Sequence, residues 1–462
     1  MSISINSQLY KADVTVNFIN DLDLTFNSMN SVYIDNANII ECKLAENIKN
    51  VSIVNVKKFI GEIFRKCINE GYHNVDINLN NYYGSFCTLE LVRVISEVYY
   101  LVNYKFDRYL SKKNILVLSN INITIACDNI CIYEQKINEG STIGMNTCIS
   151  RNFVNTPSNR LTPEIFARSV TELLSNSNVD VNIKNEVDIR NLGMHAFLEV
   201  SKGAINKPIL MILKYLGNPN VIDEVTAIIG KGITYDSGGL SLKSKKGMIT
   251  MHHDMAGASD AVCAVKAISE MGLKINIVAV IPLCENMLSP IGYRPGDIID
   301  TMDGKTVLIK STDAEGRLVI VDAITYAMKY ENVKRVIDIA TLTGGAVSAY
   351  GPLVSAIAVT DDELRKDIFK ASELSGSRVW EMPLIDEYIS YLKCEHADIA
   401  NSSNGEGSSM INAALFIREF TNNLPWLHID IAATSWTTKN DGIFSYGATG
   451  VGVGLLYYLL NK

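Results

Sequence analysis

From residue 209 onward short, predominantly apolar runs alternate with helix-like stretches. The apolar runs are Ile209 to Tyr215, Val225 to Ile229, Ile275 to Pro282, Arg335 to Ala340, Ser355 to Val359 and His428 to Ala432. The helix-like stretches are Ala258 to Met271, Leu318 to Tyr330, Asp362 to Ser375 and Met410 to Phe420. A strand that is apolar at nearly every position, rather than at alternate ones, has to be covered on both faces. The pattern predicts an α/β architecture, a central mostly parallel or mixed sheet flanked by helices.

A length of 462 residues suggests two or three domains. Proline marks one boundary: none of the ten prolines precedes Pro157, and only five of the thirty glycines do. The expectation is a smaller N-terminal α/β domain over 1–150 and a larger one over 151–462, which includes a linker helix over about 151–175. Thr162 and Pro163 read as the N-cap and first residue of that helix, which would run to about Leu174. In the first part, Val14 to Phe18, Val51 to Val56, Val75 to Leu79 and Ile115 to Leu118 read as strands, and Leu89 to Asn103 as a helix. Asn401 to Ser409, rich in Asn, Ser and Gly, reads as a flexible loop.

A net charge of −8 argues against nucleic acid as a partner. The nine cysteines are odd in number and scattered, so they are expected to be reduced packing residues of a cytoplasmic protein. No secretory signal is visible, and Val451 to Leu460 is too short to span a bilayer, so no membrane is expected.

Three runs carry the chemistry. Ser311-Thr-Asp313-Ala-Glu315-Gly-Arg317-Leu318 places charged groups at every second position. In extended backbone, residues two apart point the same way, so Asp313, Glu315 and Arg317 are expected to converge. Gly230 to Lys243 adds Lys231, Asp236 and Lys243, and Met251 to Gly257 adds Asp254. Each run falls at a strand or helix end, where open α/β sheets place their sites. Four carboxylates balance two divalent cations, and hard oxygen donors favour magnesium, manganese or zinc. Such a pair can polarise a carbonyl and activate water. Without metal the acids should repel one another and take up protons. Gly230-Lys231 is not a phosphate loop, because Val225 stands where its first glycine belongs and Gly232 where Ser or Thr should follow the lysine.

Together with Asn155-Thr-Pro157, Asp338-Ile-Ala-Thr-Leu-Thr-Gly344 and Gly447-Ala-Thr-Gly-Val-Gly-Val, these runs resemble those of the leucyl aminopeptidase (cytosol aminopeptidase) family of dimetal exopeptidases. The resemblance extends from about Asn152 to the C-terminus. It implies an aminopeptidase that releases N-terminal residues, with apolar ones such as leucine preferred, from unblocked peptides. Asp236 and Glu315 would bridge two metals. Lys231 and Asp254 would complete the tighter site, and Asp313 the more exchangeable one. As a ligand Lys231 must be neutral, with a pKa far below its usual ~10.4. Lys243 would stay protonated and stabilise the oxyanion. Arg317 would hold bicarbonate as a proton relay. Met251 and His253 would border the first side-chain pocket, and Thr341, Leu342 and Gly344 would contact the substrate. The family also implies a homohexamer.

The departures from the family bear on selectivity. His252-His253 stands where a basic residue and an aromatic are usual, His195 where glycine is, Ser311 where asparagine is, and Gly454 where something bulkier or charged is common. His73, His396 and His428 are expected to pack or cap. Two other readings compete: a non-enzymatic DNA-architectural role and a dimetal phosphoesterase.

Overall fold

The computed structural model describes residues 2–6, 12–21, 28–34, 37–45, 52–82, 86–113, 116–221, 224–403 and 405–461. The chain forms two compact units, one of residues 1–148 with 438–446 and one of 149–437 with 447–462.

The first unit holds a six-stranded sheet in the order Ser2–Asn6, Asn120–Thr124, Asn74–Asn78, Val14–Asp21, Ala37–Ala45, Ser28–Ile34. All neighbours are parallel except the last pair. Val14, Val16, Val75, Ile77, Ile121 and Ile123 are buried in one core with the helices Ile53–Asn69 and Thr88–Asn103. The alternate positions are polar and bond across the strands. Asn120 Nδ2 donates to Asn74 Oδ1 at 2.8 Å, and Asn122 Nδ2 to Asp76 Oδ1 at 2.6 Å. The asparagine-rich composition of this region is in part this ladder.

Two expected strands here are corrected. Val56 lies in the helix Ile53–Asn69, for which the Ser52 side chain is the N-cap; Val51 falls outside the described residues. Residues 116–118 are irregular, and Ile115 is also outside the described residues. The Asn103 side chain takes the backbone of Leu118 at both ends, at 2.9 and 3.1 Å, which leaves that residue no need of a ladder.

The second unit is built on a nine-stranded mixed sheet. Its order is Val379–Glu381, Ser355–Val359, Trp426–Asp430, Val333–Ala340, Val225–Gly230, Asn276–Asn286, Ile209–Leu216, Val179–Lys184, with Gly232–Asp236 also paired to Asn276–Asn286. Ala227 and Ile229 share a core with residues 318–327 of the helix Gly316–Tyr330. Gly230 meets the helix Ala256–Glu270, where a Cβ would come within 2.8 Å of Ala258 Cα. Helices therefore cover both faces, as wholly apolar strands require. The helix Pro163–Leu174 begins with Thr162 accepting from Ile165 N and Pro163 at its first turn. Val451–Leu460 is also a helix, buried along most of its length. Among the described residues no helix is long and apolar enough to cross a membrane.

Candidate active site

Lys231 follows the central strand Val225–Gly230, and its N–H donates to Ile339 O at 3.1 Å. Gly232–Asp236 then runs parallel to the end of Asn276–Asn286 and delivers Asp236. There the chain reverses through Gly238 and Gly239, with φ of 84° and 60°. A Cβ on Gly238 would stand 2.6 Å from Ser241 O, so the turn demands glycine twice over. Asp236 Oδ1 accepts from Gly238 N and from Asn286 Nδ2, both at 2.8 Å. Asp254 closes the 3-10 turn Met251–His253, just ahead of the helix Ala256–Glu270.

The third run departs from the extended strand expected of it. Residues 311–315 form a turn, with Glu315 in the right-handed helical region at φ −79°, ψ −38°. Asp313 and Glu315 meet through that turn rather than by strand alternation. Arg317 is buried in the first helical turn, where Nη1 donates to Asn401 O at 2.7 Å and Nε has no hydrogen-bond partner.

The acids and lysines named from the sequence come together. Asp236, Asp313 and Glu315 each offer an oxygen, all within 4.8 Å of one another. Lys231 Nζ lies 2.8 Å from Asp254 Oδ2, Glu315 Oε1 and Thr341 O. Lys243 Nζ lies 2.7 Å from Asp236 Oδ2 and 2.6 Å from Asp313 Oδ1. Thr341 Oγ1 also donates to Asp254 Oδ1, at 2.7 Å.

Four carboxylates against two ammonium groups leave the cluster two positive charges short. That shortage displaces the acids from their ordinary values. Burial, then Glu315 and Asp254, push Asp236 up to about 8; burial also lifts Asp254 to about 6 and raises Asp313. Glu315 goes the other way: burial works to raise it, but Lys231 and Lys243 outweigh burial and lower it. Lys231 is held above its ordinary value, because Asp254, Glu315 and Asp236 overcome its burial. That is opposite to the neutral amine a ligand role requires, and the reason is the same shortage of positive charge. An oxygen-rich donor set that lacks two charges fits divalent cations. Burial lowers Arg317 to about 10, opposed by Glu315 and Asp430, so it remains a cation with a free donor.

The residues expected at the substrate pocket lie on two chain segments that join the cluster through Asp254 and Thr341. Met251 is half-buried and His253 buried, with His253 Nδ1 against Thr250 O. Burial brings His253 down to about 4, so its ring is neutral at neutral pH. Trp436 packs on both imidazoles, its ring centroid 5.2 Å from that of His252 and 5.3 Å from that of His253. Leu342 N donates to Asp430 Oδ1 at 3.1 Å, and Gly344 opens the helix Gly344–Tyr350 with free space beside its Cα. Sequence reasoning missed Asn286, Trp436 and Asp430. Only Asn286 left a signal, as the polar end of an apolar strand on the side where open sheets bind ligands.

The catalytic-domain pattern of the cytosol aminopeptidase family matches residues 148–457. A probable cytosol aminopeptidase of Clostridium perfringens is 41% identical over 365 residues, which is 78% of this chain and 74% of that protein. One from Clostridium tetani is 41% identical over 370 residues, 80% of this chain and 76% of its own. Among solved structures, the bottromycin maturation enzyme BotP in complex with Mn is similar with a TM-score of 0.88 at 28% identity, over 97% of this chain and 99% of its own. With family pattern, curated relatives and whole-chain fold in agreement, this chain belongs to the cytosol aminopeptidase family and is a metal-dependent aminopeptidase.

Proposed function

We propose that residues 151–462 hold two divalent cations through Lys231, Asp236, Asp254, Asp313 and Glu315, and use them to release N-terminal residues from unblocked peptides. Lys231, Asp236, Asp254 and Glu315 would hold the enclosed cation, and Asp313 would join Asp236 and Glu315 in holding the open one. When bound, the cations supply Lewis acidity for the scissile carbonyl and for the attacking water. Manganese is the first choice, because BotP is described in complex with Mn.

The remaining roles belong to the chain's own residues. Lys243 is the ammonium at the mouth of the cluster and donates to the carbonyl oxygen as it gains charge. Arg317 keeps its Nε donor for a small anion, bicarbonate among the candidates, that takes up and returns a proton. Asp313, the exposed acid, receives the free α-amino group, which explains why a blocked N-terminus would not bind. Met251, His253 and Trp436 form an uncharged wall suited to an apolar first side chain, and Thr341, Leu342 and Gly344 align the peptide. A homohexamer in the cytoplasm completes the proposal, with nine cysteines outside any disulfide in support of the compartment; light scattering measures the assembly.

The observation that carries the roles is that three carboxylates lie within 4.8 Å of one another while Lys243 reaches two of them. The test is turnover of Leu-amide against acetyl-Leu-amide with added manganese. Cleavage of Leu-amide alone is expected; equal turnover of both would remove the exopeptidase claim. A phosphoesterase would instead release phosphate from a nitrophenyl ester and leave Leu-amide intact.

A further inference from the structure

The small sheet Ile298–Asp300, Thr306–Leu308, Ile399–Ala400 stands just before the turn that carries Asp313 and Glu315. Val307 pairs with Ile399 and Leu308 with Ala400, and Asn401 N closes that ladder by donating to Leu308 O at 3.0 Å. Beyond it, residues 310–315 belong to no strand. The turn holds itself weakly: Ala314 N reaches Ser311 O at 3.4 Å, and Asp313 N reaches Ser311 Oγ at 3.2 Å.

Asn401 supplies what the turn lacks. The residue is fully buried, although it opens a stretch that composition marks as a flexible loop. Oδ1 accepts from Lys310 N at 2.8 Å and from Ser311 N at 3.3 Å. Nδ2 donates to Ser311 O at 2.7 Å and to Ala314 O at 3.3 Å. The Asn401 carbonyl accepts from Arg317 Nη1 at 2.7 Å. One residue therefore grips the chain on both sides of Asp313 and Glu315. A second set of bonds holds Thr312. Its Oγ1 donates to Gly238 O at 2.6 Å and accepts from Ser241 N at 2.8 Å, and its carbonyl accepts from Asn286 Nδ2 at 2.9 Å and Tyr293 Oη at 2.8 Å. Thr312 thus ties the turn to the run that bears Asp236 and Lys243, and Asn401 ties it to the small sheet. An asparagine that only closed a ladder would need its main chain alone. Here both ends of the amide are spent on the backbone of the turn.

We propose that Asn401 is a positioning residue for the hydrolysis: by bonding the backbone on either side of Asp313, it sets where that carboxylate, and with it the open cation, stands. This rests on the cation roles proposed for Asp313 and Glu315. Groups that orient metal ligands from behind change affinity or activity by about 10–100-fold when removed.

The test uses the full-length protein with Asn401→Ala, which removes all the side-chain bonds without adding charge, and with Asn401→Ser, which keeps a hydroxyl but not the reach of the amide. Metal-free protein is titrated with manganese and followed by electron paramagnetic resonance, and turnover of Leu-amide is measured on the same samples. Wild-type protein should give the spectrum of a coupled pair once two ions are bound. In the variants the weaker site is expected to lose about tenfold or more in affinity, with the tighter one within about threefold, so the single-ion spectrum persists to higher manganese. At the manganese concentration that fills both wild-type sites, kcat should fall about tenfold or more. A purely structural asparagine would lower the melting temperature and leave the ratio of the two affinities as in the wild type. That result, wild-type kcat in a folded variant, or failure of both variants to fold would each overturn the assignment. Wild-type protein that never binds a second manganese ion would sink the proposed cation roles instead, and the two failures are distinct.

Discussion

The inner and outer halves of the acidic cluster hold the same kinds of group in unlike surroundings. Lys231 has 2% of its side chain exposed and faces acids that are also sealed, Asp254 and Glu315. Lys243 is 18% exposed, and one of its two partners, Asp313, is 38% exposed. Charge enclosed by protein is fixed in place, because any other arrangement leaves a buried ion alone. Charge at the mouth is screened and can change partners. The difference teaches why two lysines drawn to one cluster suit the different roles proposed for them, Lys231 with the cations and Lys243 toward substrate.

Lys231→Ala should have the largest effect. It leaves Asp254 and Glu315 buried without their cation, and breaking such a pair costs roughly 3–5 kcal/mol. Urea unfolding of the metal-free variant should show that loss, and metal analysis should find at most one tightly held manganese. Lys243→Ala should instead keep wild-type metal content and lose about 10²–10³-fold in kcat. If both variants lose metal alike, the two halves are equivalent and the distinction is void.

Gly316→Ala acts chiefly on the inner half, though its Cβ would also stand 3.0 Å from Leu342 Cδ1. Its Cβ would stand 2.6 Å from Lys231 Cε and 2.8 Å from Nζ, inside a fully packed wall. Overpacking of this kind costs roughly 1–3 kcal/mol. The expected result is weaker binding of the inner cation with a lower melting temperature, both read by calorimetry. A variant that binds both metals as the wild type does would show that Lys231 has room to move.

A pH series separates the halves in the absence of metal. Asp236 is pushed up to about 8, against an ordinary carboxylate near ~4. Between those values the native state binds the extra proton, so stability must fall as pH rises from about 4 to 8. Glu315 contributes with the opposite sign: lowered in the folded chain, it stabilises above its unfolded value and that gain is lost in acid. Metal-free protein should therefore melt several degrees lower at pH 8 than at pH 6, while manganese-loaded protein should not. A flat profile without metal would mean the acids do not repel each other as placed.

Much of the second unit was legible because its strands are short and apolar and longer mixed runs carrying charged residues stand between them. Ser355–Val359 and Asp362–Ser375 fall where composition alone placed them. Val451–Leu460 was missed because it holds only glycine, aliphatic and tyrosine residues, so nothing in it marks a 3.6-residue period. Val56 misled because a short β-branched run looks like a strand until Ser52 caps it as a helix. In the site, acids and lysines were found by local motif. The convergence of Arg317 with Asp313 and Glu315 was argued from extended backbone, and the turn at 311–315 replaces that geometry. Trp436, Asp430 and the tight fit at Gly316 were invisible, because each matters through a neighbour far away in sequence.

The smallest expected effect is also the cleanest separation of buried from exposed charge. Raising ionic strength from about 0.05 to 0.5 M shortens the screening length from roughly 14 to 4 Å. Field from the exposed Asp313 passes through water and should weaken accordingly, whereas field from Glu315 and Asp254 passes through packed protein. Manganese titrated against a fluorescent chelator should then show the weaker site losing affinity by about threefold and the tighter one by less than twofold. The arithmetic depends only on which acids see solvent, so it holds whatever the native metal is. Equal salt dependence at both sites would place both cations in the same dielectric surroundings, and the contrast between a sealed lysine and an open one would no longer explain their roles.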